Sequence, residues 1–447
     1  MDRLENLGAE LSVAAPRIAI IGGGYAGMAA AVRLAELGRQ SILFEGGKVL
    51  GGRARRIDYR GVALDNGQHI LSGAYAELLR MMALVGVPSA AWRRIPLRLD
   101  MPPEFSLRAP RLPAPLHLAW ALLTATGLGL GERWAAIRLM RRLAHDRFAV
   151  DPAWSVTRLL DHYRQPARLV RCLWQPLTIS ALNTPPDFAS AQVFACVLRD
   201  ALAASREASD LILPCADLSA LFPEPAAVWL AAQGNEVRLG NRVVRIDRVD
   251  RAGTQQWAVH TAEPASSEQK LFERVIVAVA PHQLDSLALP VTLLPQAFDY
   301  EPIYTVYLQY AQSVPLPQAM LGQLSGHCQW FFDREHLSGK SGLVAAVISA
   351  SGPHESLDQH ELAQRVHAEL ESHVGALPPP LWYKVIAEKF ATFACTPALK
   401  RPAAETTLPG LYLAGDFVAC DYPATLEAAV RNGAHAAELA HASLPIS

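Results

Sequence analysis

A glycine-rich turn near the start of the chain constrains its fold more than any other feature. An apolar, β-branched run at residues 18–21 ends there in Gly-x-Gly-x-x-Gly, and the three glycines are Gly22, Gly24 and Gly27. A run of helix-forming residues follows at once, and Glu45 closes the next apolar run. This order of strand, glycine turn, helix, strand and acid is typical of a dinucleotide-binding βαβ unit. The sequence therefore predicts an α/β fold with a Rossmann-like domain.

Each part of this unit has a physical task. Gly22 allows the tight turn, Gly24 lets the backbone approach a pyrophosphate, and Gly27 lets the helix pack closely on the sheet. The helix N-terminus presents N–H groups and a partial positive charge to the phosphates. Glu45 is placed to accept hydrogen bonds from both ribose hydroxyls, and it would repel a 2′-phosphate. The alternative, a turn that binds nothing, accounts less well for the complete unit.

Length, charge and cysteine content exclude several classes of protein. The chain has 447 residues, enough for two sizeable cores, and its net charge of −1 gives no indication of nucleic-acid binding. The six cysteines are scattered without a CxxC pair, which argues against disulfides and a structural metal site and favours a reducing cytoplasm. The first fifteen residues lack the pattern of a secretory signal. We therefore predict a cytoplasmic protein.

Strand-like and helical patterns alternate in a way that predicts two discontinuous domains. Apolar runs of nucleotide-domain type occur near the start, in the middle at residues 274–280, where the run suits a parallel strand buried on both faces, and near the end at residues 410–415. Residues 235–250 alternate in strand fashion, and residues 303–310 and 342–349 are predicted to be strands of another sheet. Helical and mixed material is inserted between them. We predict a dinucleotide-binding domain and a mixed α+β substrate domain; the first comprises residues 1–90, 211–285 and 400–447, and the second comprises residues 91–210 and 286–399.

Residues 112–147 combine an apolar stretch with a basic helical pattern. The apolar part is too short to span a bilayer, and Arg138, Arg141 and Arg142 share one helical face beyond it. This combination suits peripheral binding at a membrane surface, on the inner face of the membrane for a cytoplasmic protein. A buried pair of helices with solvated arginines is the alternative, and the pattern alone favours it at least equally.

Further segments, spread over nearly the whole chain, resemble motifs of one flavoprotein superfamily. They are residues 50–55 (LGGRAR), 65–70 (DNGQHI), 243–244 (VV), 415–416 (GD) and 425–429 (TLEAA). Together they resemble the glutathione-reductase-type FAD proteins of the amine oxidase and phytoene desaturase superfamily. The resemblance implies FAD as the cofactor, an FAD-binding Rossmann-like domain, and a separate substrate domain.

The resemblance also implies which residues bind FAD. The glycine turn would hold the pyrophosphate, Arg53 and Asp416 would lie along the phosphates and ribitol, and residues 67–69 would lie against the isoalloxazine. The helix after Thr425 would direct its N-terminus at the pyrimidine carbonyl, where reduced flavin gathers negative charge. The implied FAD-binding residues are Gly22, Gly24, Tyr25, Ala26, Gly27, Glu45, Gly46, Gly52, Arg53, Ala54, Gly67, Gln68, His69, Val243, Gly415, Asp416, Thr425, Leu426 and Ala429.

One departure from the superfamily pattern bears on the reaction. Amine oxidases keep a lysine near the flavin on a strand of the substrate domain, but no lysine occurs between Lys270 and Lys340. The strand expected at residues 303–310 offers Tyr304, Thr305 and Tyr307 instead. This weakens amine oxidation and favours the isoprenoid chemistry found elsewhere in the superfamily.

Four segments resemble a narrower family. They are residues 176–194, 210–225 and 391–397, and residues 415–416 taken with 421–427. They resemble the bacterial squalene-associated FAD-dependent desaturases, the hydroxysqualene dehydroxylases. The resemblance implies reductive removal of the hydroxyl of an apolar C30 allylic alcohol to give squalene, with a reductant for the flavin that the sequence does not specify.

Such a reaction needs an acid to protonate the leaving hydroxyl. Asp421 and Tyr422 are the preferred candidates, because they lie between Asp416 and the terminal helix, and His69 is the next. Asp210 is a further candidate, and Asp217 is predicted to be a helix cap. Two other readings of the chain remain: a phytoene-type desaturase, in which the flavin takes hydride from a polyene, and a flavin-retaining lipid-binding protein.

Overall fold

The computed structural model describes residues 18–251, 254–262, 270–289 and 292–444. The first fifteen residues, on which the prediction of no secretory signal rests, lie outside the described residues.

Strands are spread over the whole described chain. They are β1 (Ile18–Ile21), β2 (Ser41–Phe44), β3 (Arg56–Tyr59), β4 (Val62–Asp65), β5 (Leu71–Ser72), β6 (Trp92–Ile95), β7 (Arg98–Met101), β8 (Phe105–Arg108), β9 (Leu211–Pro214), β10 (Glu236–Arg238), β11 (Val243–Arg251), β12 (Thr254–Thr261), β13 (Lys270–Phe272), β14 (Arg274–Val277), β15 (Tyr300–Gln309), β16 (Met320–Gly322), β17 (Trp330–Asp333), β18 (Leu343–Ser349), β19 (Trp382–Phe393) and β20 (Leu411–Leu413).

Most helices lie between β8 and β10 or follow the strands of the two large sheets. They are α1 (Tyr25–Glu36), α2 (Ala76–Leu84), α3 (Leu116–Thr124), α4 (Leu130–His145), α5 (Val156–His162), α6 (Ala167–Leu169), α7 (Gln175–Leu182), α8 (Ala191–Val197), α9 (Arg206–Ser209), α10 (Leu218–Leu221), α11 (Pro223–Ala232), α12 (Arg334–Ser338), α13 (Gln359–Val374) and α14 (Leu426–Ala442). Short π- or 3₁₀-helical turns occur at Ser89–Ala91, Val170–Trp174, Leu198–Ala203, Pro281–Leu287 and Pro353–Ser356.

The first large sheet is parallel and has the strand order β10-β2-β1-β14-β20. Its central strands are buried apolar runs, as expected for strands covered on both faces. The prediction that residues 274–280 form a parallel strand is confirmed by β14, which pairs with β1 and β20. Helices α1 and α14 pack together beside this sheet, and a Cβ at Gly433 would lie 2.2 Å from the carbonyl oxygen of Ala26.

The predicted single strand over residues 235–250 is wrong in one respect. The chain turns at Gly240, which has a φ of +72°. The first part therefore forms β10 of the parallel sheet, and the second part begins β11 of a separate antiparallel sheet with β12 and β13. A left-handed glycine between two alternating runs is a turn signal that outweighs their shared periodicity.

The second large sheet is antiparallel in the order β16-β17-β18-β15-β19. The strands predicted at residues 303–310 and 342–349 are confirmed as β15 and β18, which pair with each other. Alternate residues of β15, such as Val306 and Leu308, pack under α13. The opposite face, which carries Ile303 and Thr305, is directed toward the first sheet. A cavity between the two sheets follows from this arrangement.

The segment predicted to face a membrane forms two helices, α3 and α4. Both bury an apolar side inward, through residues such as Ala121 and Leu139. They also expose large apolar side chains outward, which are Leu116, Trp120, Leu123, Leu130 and Trp134. Within the described residues, no helix is long and apolar enough to cross a membrane. The domain boundaries stay a prediction.

Candidate functional site

A cavity of about 620 Å³ runs from the carboxyl edge of the parallel sheet to the antiparallel sheet. Small-molecule sites usually measure ~300–1,000 Å³, and open parallel sheets bind ligands at this edge. Of the predicted FAD-binding residues, Gly27 alone is absent from the wall. Those that line the cavity are Gly22, Gly24, Tyr25, Ala26, Glu45, Gly46, Gly52, Arg53, Ala54, Gly67, Gln68, His69, Val243, Gly415, Asp416, Thr425, Leu426 and Ala429.

The glycine turn holds the N-terminus of α1 against this cavity. Gly27 lies behind the wall, where a Cβ would be only 1.9 Å from the carbonyl oxygen of Gly22. The absence of a side chain thus lets the helix pack closely on the turn. The helix begins after Gly24 without a side-chain cap and without an acidic residue in its first turn. Its first N–H groups therefore lack intrahelical partners at the cavity wall, which suits them to a phosphate.

Glu45 lies at the end of β2 beside this turn. Its Oε2 accepts a hydrogen bond from the N–H of Gly23 at 2.7 Å, and its Oε1 accepts one from the N–H of Gly47 at 2.6 Å. Each carboxylate oxygen keeps a further lone pair. The carboxylate is thus fixed in place and still able to accept from the hydroxyls of a ribose.

An ion pair crosses the middle of the cavity wall. Arg53 donates to Oδ1 of Asp416 at 2.6 Å and to the carbonyl oxygen of Ala391 at 2.7 Å. Burial alone would lower the pKa of Arg53, but the Asp416 carboxylate raises it overall. The guanidinium therefore stays charged, as a group that binds phosphates or ribitol oxygens requires.

Sequence reasoning missed Arg401, which orders the loop after Asp416. Its guanidinium donates to backbone carbonyl oxygens of that loop, including those of Asp416 at 2.5 Å and Tyr422 at 2.7 Å. It also lies over the ring of Phe393. No motif marks such an arginine, because its partners are backbone groups that only the folded loop brings together.

The segment from Asn66 to His69 crosses the cavity between the two sheets. Asn66 Nδ2 donates to the carbonyl oxygen of Arg53 at 3.1 Å and to Oε2 of Glu388 at 2.9 Å. His69 Nδ1 lies 2.7 Å from the carbonyl oxygen of Gly67, so this nitrogen carries the hydrogen. Burial lowers the pKa of His69. A neutral His69 with Nε2 as acceptor is therefore poorly suited to the predicted role of acid.

A buried polar cluster lies behind this segment. Arg334 donates to Oε1 of Gln68 at 2.9 Å, and its other nitrogen lies 3.9 Å from Oδ2 of Asp65. Tyr307 adds a hydrogen bond to the carbonyl oxygen of Asp65 at 3.1 Å. Burial raises the pKa of Asp65 to about 6, against the opposing effects of Arg334 and of the hydrogen bond from the N–H of Leu218. This cluster fixes the position of Gln68 on the cavity wall.

The expectation that Asp421 and Tyr422 face the cofactor is corrected by the structure, since neither lines the cavity. The side chain of Asp421 is 71% exposed and lies 3.7 Å from Arg199. Tyr422 donates to Asp200 at 2.9 Å, and Arg431 lies over its ring. These polar partners turn both side chains away from the cavity.

The two remaining acid candidates also have structural roles. Asp217 caps α10, as predicted, by accepting from the N–H groups of Ser219 and Ala220. Asp210 is buried and lies within 3.7 Å of Arg94 and Arg206. Neither aspartate lines the cavity.

The antiparallel sheet contributes an apolar end to the cavity. Its wall there includes Ile303, Trp330, Phe332 and Val347. Trp330 satisfies its indole N–H by donating to Oγ of Ser180 at 3.0 Å, so the ring presents carbon to the cavity. No described lysine lines the cavity, and no described His, Cys, Asp or Glu side chains form a metal-binding group of three. The site thus combines a polar nucleotide-like half with an apolar half.

Comparisons with known proteins agree with this division. Residues 25–441 match the profile of the family described as flavin containing amine oxidoreductase. The chain is 30% identical over 438 residues to a hydroxysqualene dehydroxylase of Rhodopseudomonas palustris, covering 94% of this chain and 97% of that protein. It is 28% identical to the hydroxysqualene dehydroxylase of Zymomonas mobilis, covering 94% and 98%.

More distant similarity extends to desaturases and to solved structures. A 15-cis-phytoene desaturase of Synechococcus elongatus is 23% identical, covering 93% of this chain and 94% of that protein. The structure of an oxidoreductase from Methanosarcina mazei superposes with a TM-score of 0.73 at 13% identity, covering 94% and 99% of the two chains. The predicted fold, with a Rossmann-like domain for the cofactor and a separate substrate domain, is thereby confirmed.

Proposed function

The chain belongs to the flavin containing amine oxidoreductases and, within them, to the hydroxysqualene dehydroxylases, and we propose that it converts hydroxysqualene to squalene. It is a flavin-dependent oxidoreductase. The similarity to hydroxysqualene dehydroxylases along nearly the full length of both chains carries the proposal. The apolar end of the cavity supports it, since a C30 isoprenoid requires such a chamber beside the flavin.

The flavin that fits this cavity is FAD. Glu45 would accept from the adenosine ribose, the α1 N-terminus and Arg53 would hold the diphosphate, and the segment containing Gln68 would lie against the ring. The glycine turn and Gln68 line one continuous cavity, and a mononucleotide would leave one of these two parts without a ligand. Glu45 with its backbone donors is the observation that favours the dinucleotide.

The chain's own residues must orient the alcohol and exclude water. A bound reduced flavin would supply a hydride, which is a proton with two electrons, to an electron-poor carbon. Loss of the allylic hydroxyl leaves a delocalised cation that water would return to the alcohol. Ile303, Trp330, Phe332 and Val347 form a wall without hydrogen-bond donors directed inward, which disfavours water at that end.

The substrate is a bilayer lipid, and we extend the proposal to peripheral membrane binding in the cytoplasm. Trp120 and Trp134 are each 54% exposed, and Leu130 is 70% exposed, on two adjacent helices. Tryptophan at such positions favours the membrane interface. Arg138 and Arg141 lie exposed on α4 and would contribute about 1 kcal/mol each on anionic lipid.

Nothing in the chain specifies the reductant of the flavin, and we propose an external one.

The direction of flavin redox chemistry tests the proposed function against its main alternative. The holoenzyme is photoreduced without oxygen and mixed with hydroxysqualene, while oxidised holoenzyme is mixed with phytoene. We expect the reduced flavin to be reoxidised with formation of squalene, and the oxidised flavin to keep its spectrum. Flavin reduction by phytoene, with no reaction of hydroxysqualene, would instead identify a desaturase. A flavin that responds to neither lipid would favour a lipid-binding protein.

A further inference from the structure

Among the described residues, three acidic side chains line the cavity, and two of them already have strong partners. Glu45 accepts from two backbone N–H groups, and Asp416 is paired with Arg53. The third, Glu388, has uncharged partners: its Oε2 accepts from the amide of Asn66 at 2.9 Å, and its Oε1 accepts a longer bond from the N–H of Phe390 at 3.4 Å. No ion pair to Glu388 within 4.0 Å is found among the described residues. Its carboxyl group is therefore the one of the three that is neither ion-paired nor held by two short hydrogen bonds.

The sheet register places Glu388 where the apolar end meets the flavin-binding end. On β19 it lies opposite Ile303 of β15, and Ile303 lies opposite Ser349 of β18. All three line the cavity, and the next row on this face carries Val347. On its other side Glu388 contacts Asn66, which begins the segment expected against the flavin ring.

We propose that Glu388 is the acid that expels the substrate hydroxyl and that its carboxylate then stabilises the allylic cation. This assignment rests on the proposed function. The proton leaves the Glu388 carboxyl group and bonds to the hydroxyl oxygen, and the C–O bond breaks with its electron pair leaving on water. A bound reduced flavin would supply the hydride that converts the cation to squalene, and it would thereby be oxidised by two electrons. Solvent returns the proton to Glu388.

The charged and titratable groups around Glu388 are compatible with this role. Arg53 acts on it electrostatically but is held by Asp416. Desolvation and then Arg53 lower the pKa of His282, against the opposing effect of Glu388 itself. A carboxyl group is thus the group in this part of the wall able both to give a proton and to face a cation.

Binding of a cationic analogue tests the placement of Glu388 without turnover. The probe is a squalene analogue with a tertiary ammonium in place of the carbinol carbon, and squalene is its neutral counterpart. Dissociation constants are measured on oxidised holoenzyme from the flavin absorbance change. We expect the parent enzyme to prefer the ammonium by at least tenfold. Glu388→Gln should abolish this preference and leave squalene binding unchanged, while Glu388→Asp should retain part of it.

Glu301→Gln serves as the matched control, because Glu301 lies on the same sheet and outside the cavity wall, where it accepts from the N–H of Ser351. It should keep the full preference. An unchanged preference in Glu388→Gln, with bound flavin at the parent level, would overturn the assignment.

Single-turnover reoxidation gives the catalytic readout. In Glu388→Gln the rate with hydroxysqualene should fall by about 10²- to 10⁴-fold, the usual contribution of a general acid. A parent rate in this variant would overturn the acid role. Failure of the parent enzyme to react with hydroxysqualene would instead refute the proposed function, and the analogue binding would still report whether Glu388 faces a cation.

Discussion

At the scale of single residues, buried charges around the cavity are held in pairs whose strengths differ. Arg53 and Asp416 are 2.6 Å apart, whereas the closest charged atoms of Arg334 and Asp65 are 3.9 Å apart. In the first pair the Asp416 carboxylate raises the pKa of Arg53 and keeps its guanidinium charged at the centre of the site. In the second pair, burial of Asp65, which is 1% exposed, outweighs the attraction of Arg334 and raises the pKa of the carboxyl group. Burial thus raises the pKa of Asp65 in spite of its more distant arginine partner.

Asp65 should make stability depend on pH. Its pKa is about 6 in the folded protein and near 3.8 when exposed, so the folded state binds the proton more tightly. Its contribution to stability is therefore greatest below pH 4 and is lost as the pH rises to about 6. We expect the difference in melting temperature between Asp65→Asn and the parent to shift in favour of the variant as the pH rises from 4.5 to 6.5. A constant difference in melting temperature across this range would contradict the raised pKa.

Glu45 should determine flavin affinity. Replacing it with glutamine removes the charge and one of the two oxygens that accept from Gly23 and Gly47. Hydrogen bonds to charged groups contribute about 1.5–3 kcal/mol, so the dissociation constant for FAD should rise about 10- to 100-fold. Equilibrium titration of the apoprotein measures this, with Glu438→Gln, at an exposed ion pair to Arg33, as control. Equal affinity in both variants would refute the ribose-binding role.

At the scale of elements, helix N-termini organise the flavin half of the molecule. Helix α1 begins without a side-chain cap at the cavity, whereas Thr425 caps α14 by accepting from the N–H of Ala428. Helix α2 is capped from a distance by Glu427, a fully buried residue of α14. The uncapped terminus of α1 and the capped terminus of α14 both line the cavity, whereas α2 is held by a buried carboxylate of α14.

Glu427 should be important for stability. Its carboxylate accepts from the N–H groups of Glu77 and Leu78 and from Arg431. Glu427→Ala removes the acceptor of these donors. We expect it to lower the free energy of unfolding by about 2–4 kcal/mol. Urea denaturation measures the change, with Glu361→Ala at the exposed pair on α13 as control. A loss no larger than in the control would contradict the capping role.

The exposed residues of α3 and α4 should determine membrane binding. Replacing both Trp120 and Trp134 with serine removes most of the interfacial anchoring, and replacing Arg138 and Arg141 with glutamate reverses the attraction to anionic lipid. We expect either double variant to reduce sedimentation with anionic vesicles by at least fivefold. Val228→Ser, at a 74% exposed apolar position of α11, is the control and should bind normally. Unchanged binding of both double variants would favour a purely structural helical pair.

At the scale of the whole molecule, local patterns predicted the elements better than the positions of side chains. The glycine turn, β14, β15, β18 and α14 each carry a complete local signal, and the structure has them. Asp421 and Tyr422 were misplaced because the direction of their side chains depends on Arg199, Asp200 and Arg431, which lie far away along the chain or on another element.

No sequence pattern indicated the residues whose role depends on how two elements align in the folded protein. Glu388 lines the cavity because β19 pairs with β15 in one particular register, and Arg334 reaches Gln68 from the start of α12. A shift of one residue would direct Glu388 to the opposite face of the sheet. Periodicity predicts that such strands exist, but it does not predict which neighbour each residue will have.

Isotope incorporation into the product tests the central claim most directly. The holoenzyme is reduced without oxygen in deuterium oxide, mixed with hydroxysqualene for one turnover, and the squalene is analysed by mass spectrometry. The hydrogen that a reduced flavin transfers exchanges with solvent, so we predict one deuterium per squalene and one squalene per reduced flavin. Squalene without deuterium, or no squalene while the flavin stays reduced, would contradict the assignment of this chain as a flavin-dependent dehydroxylase.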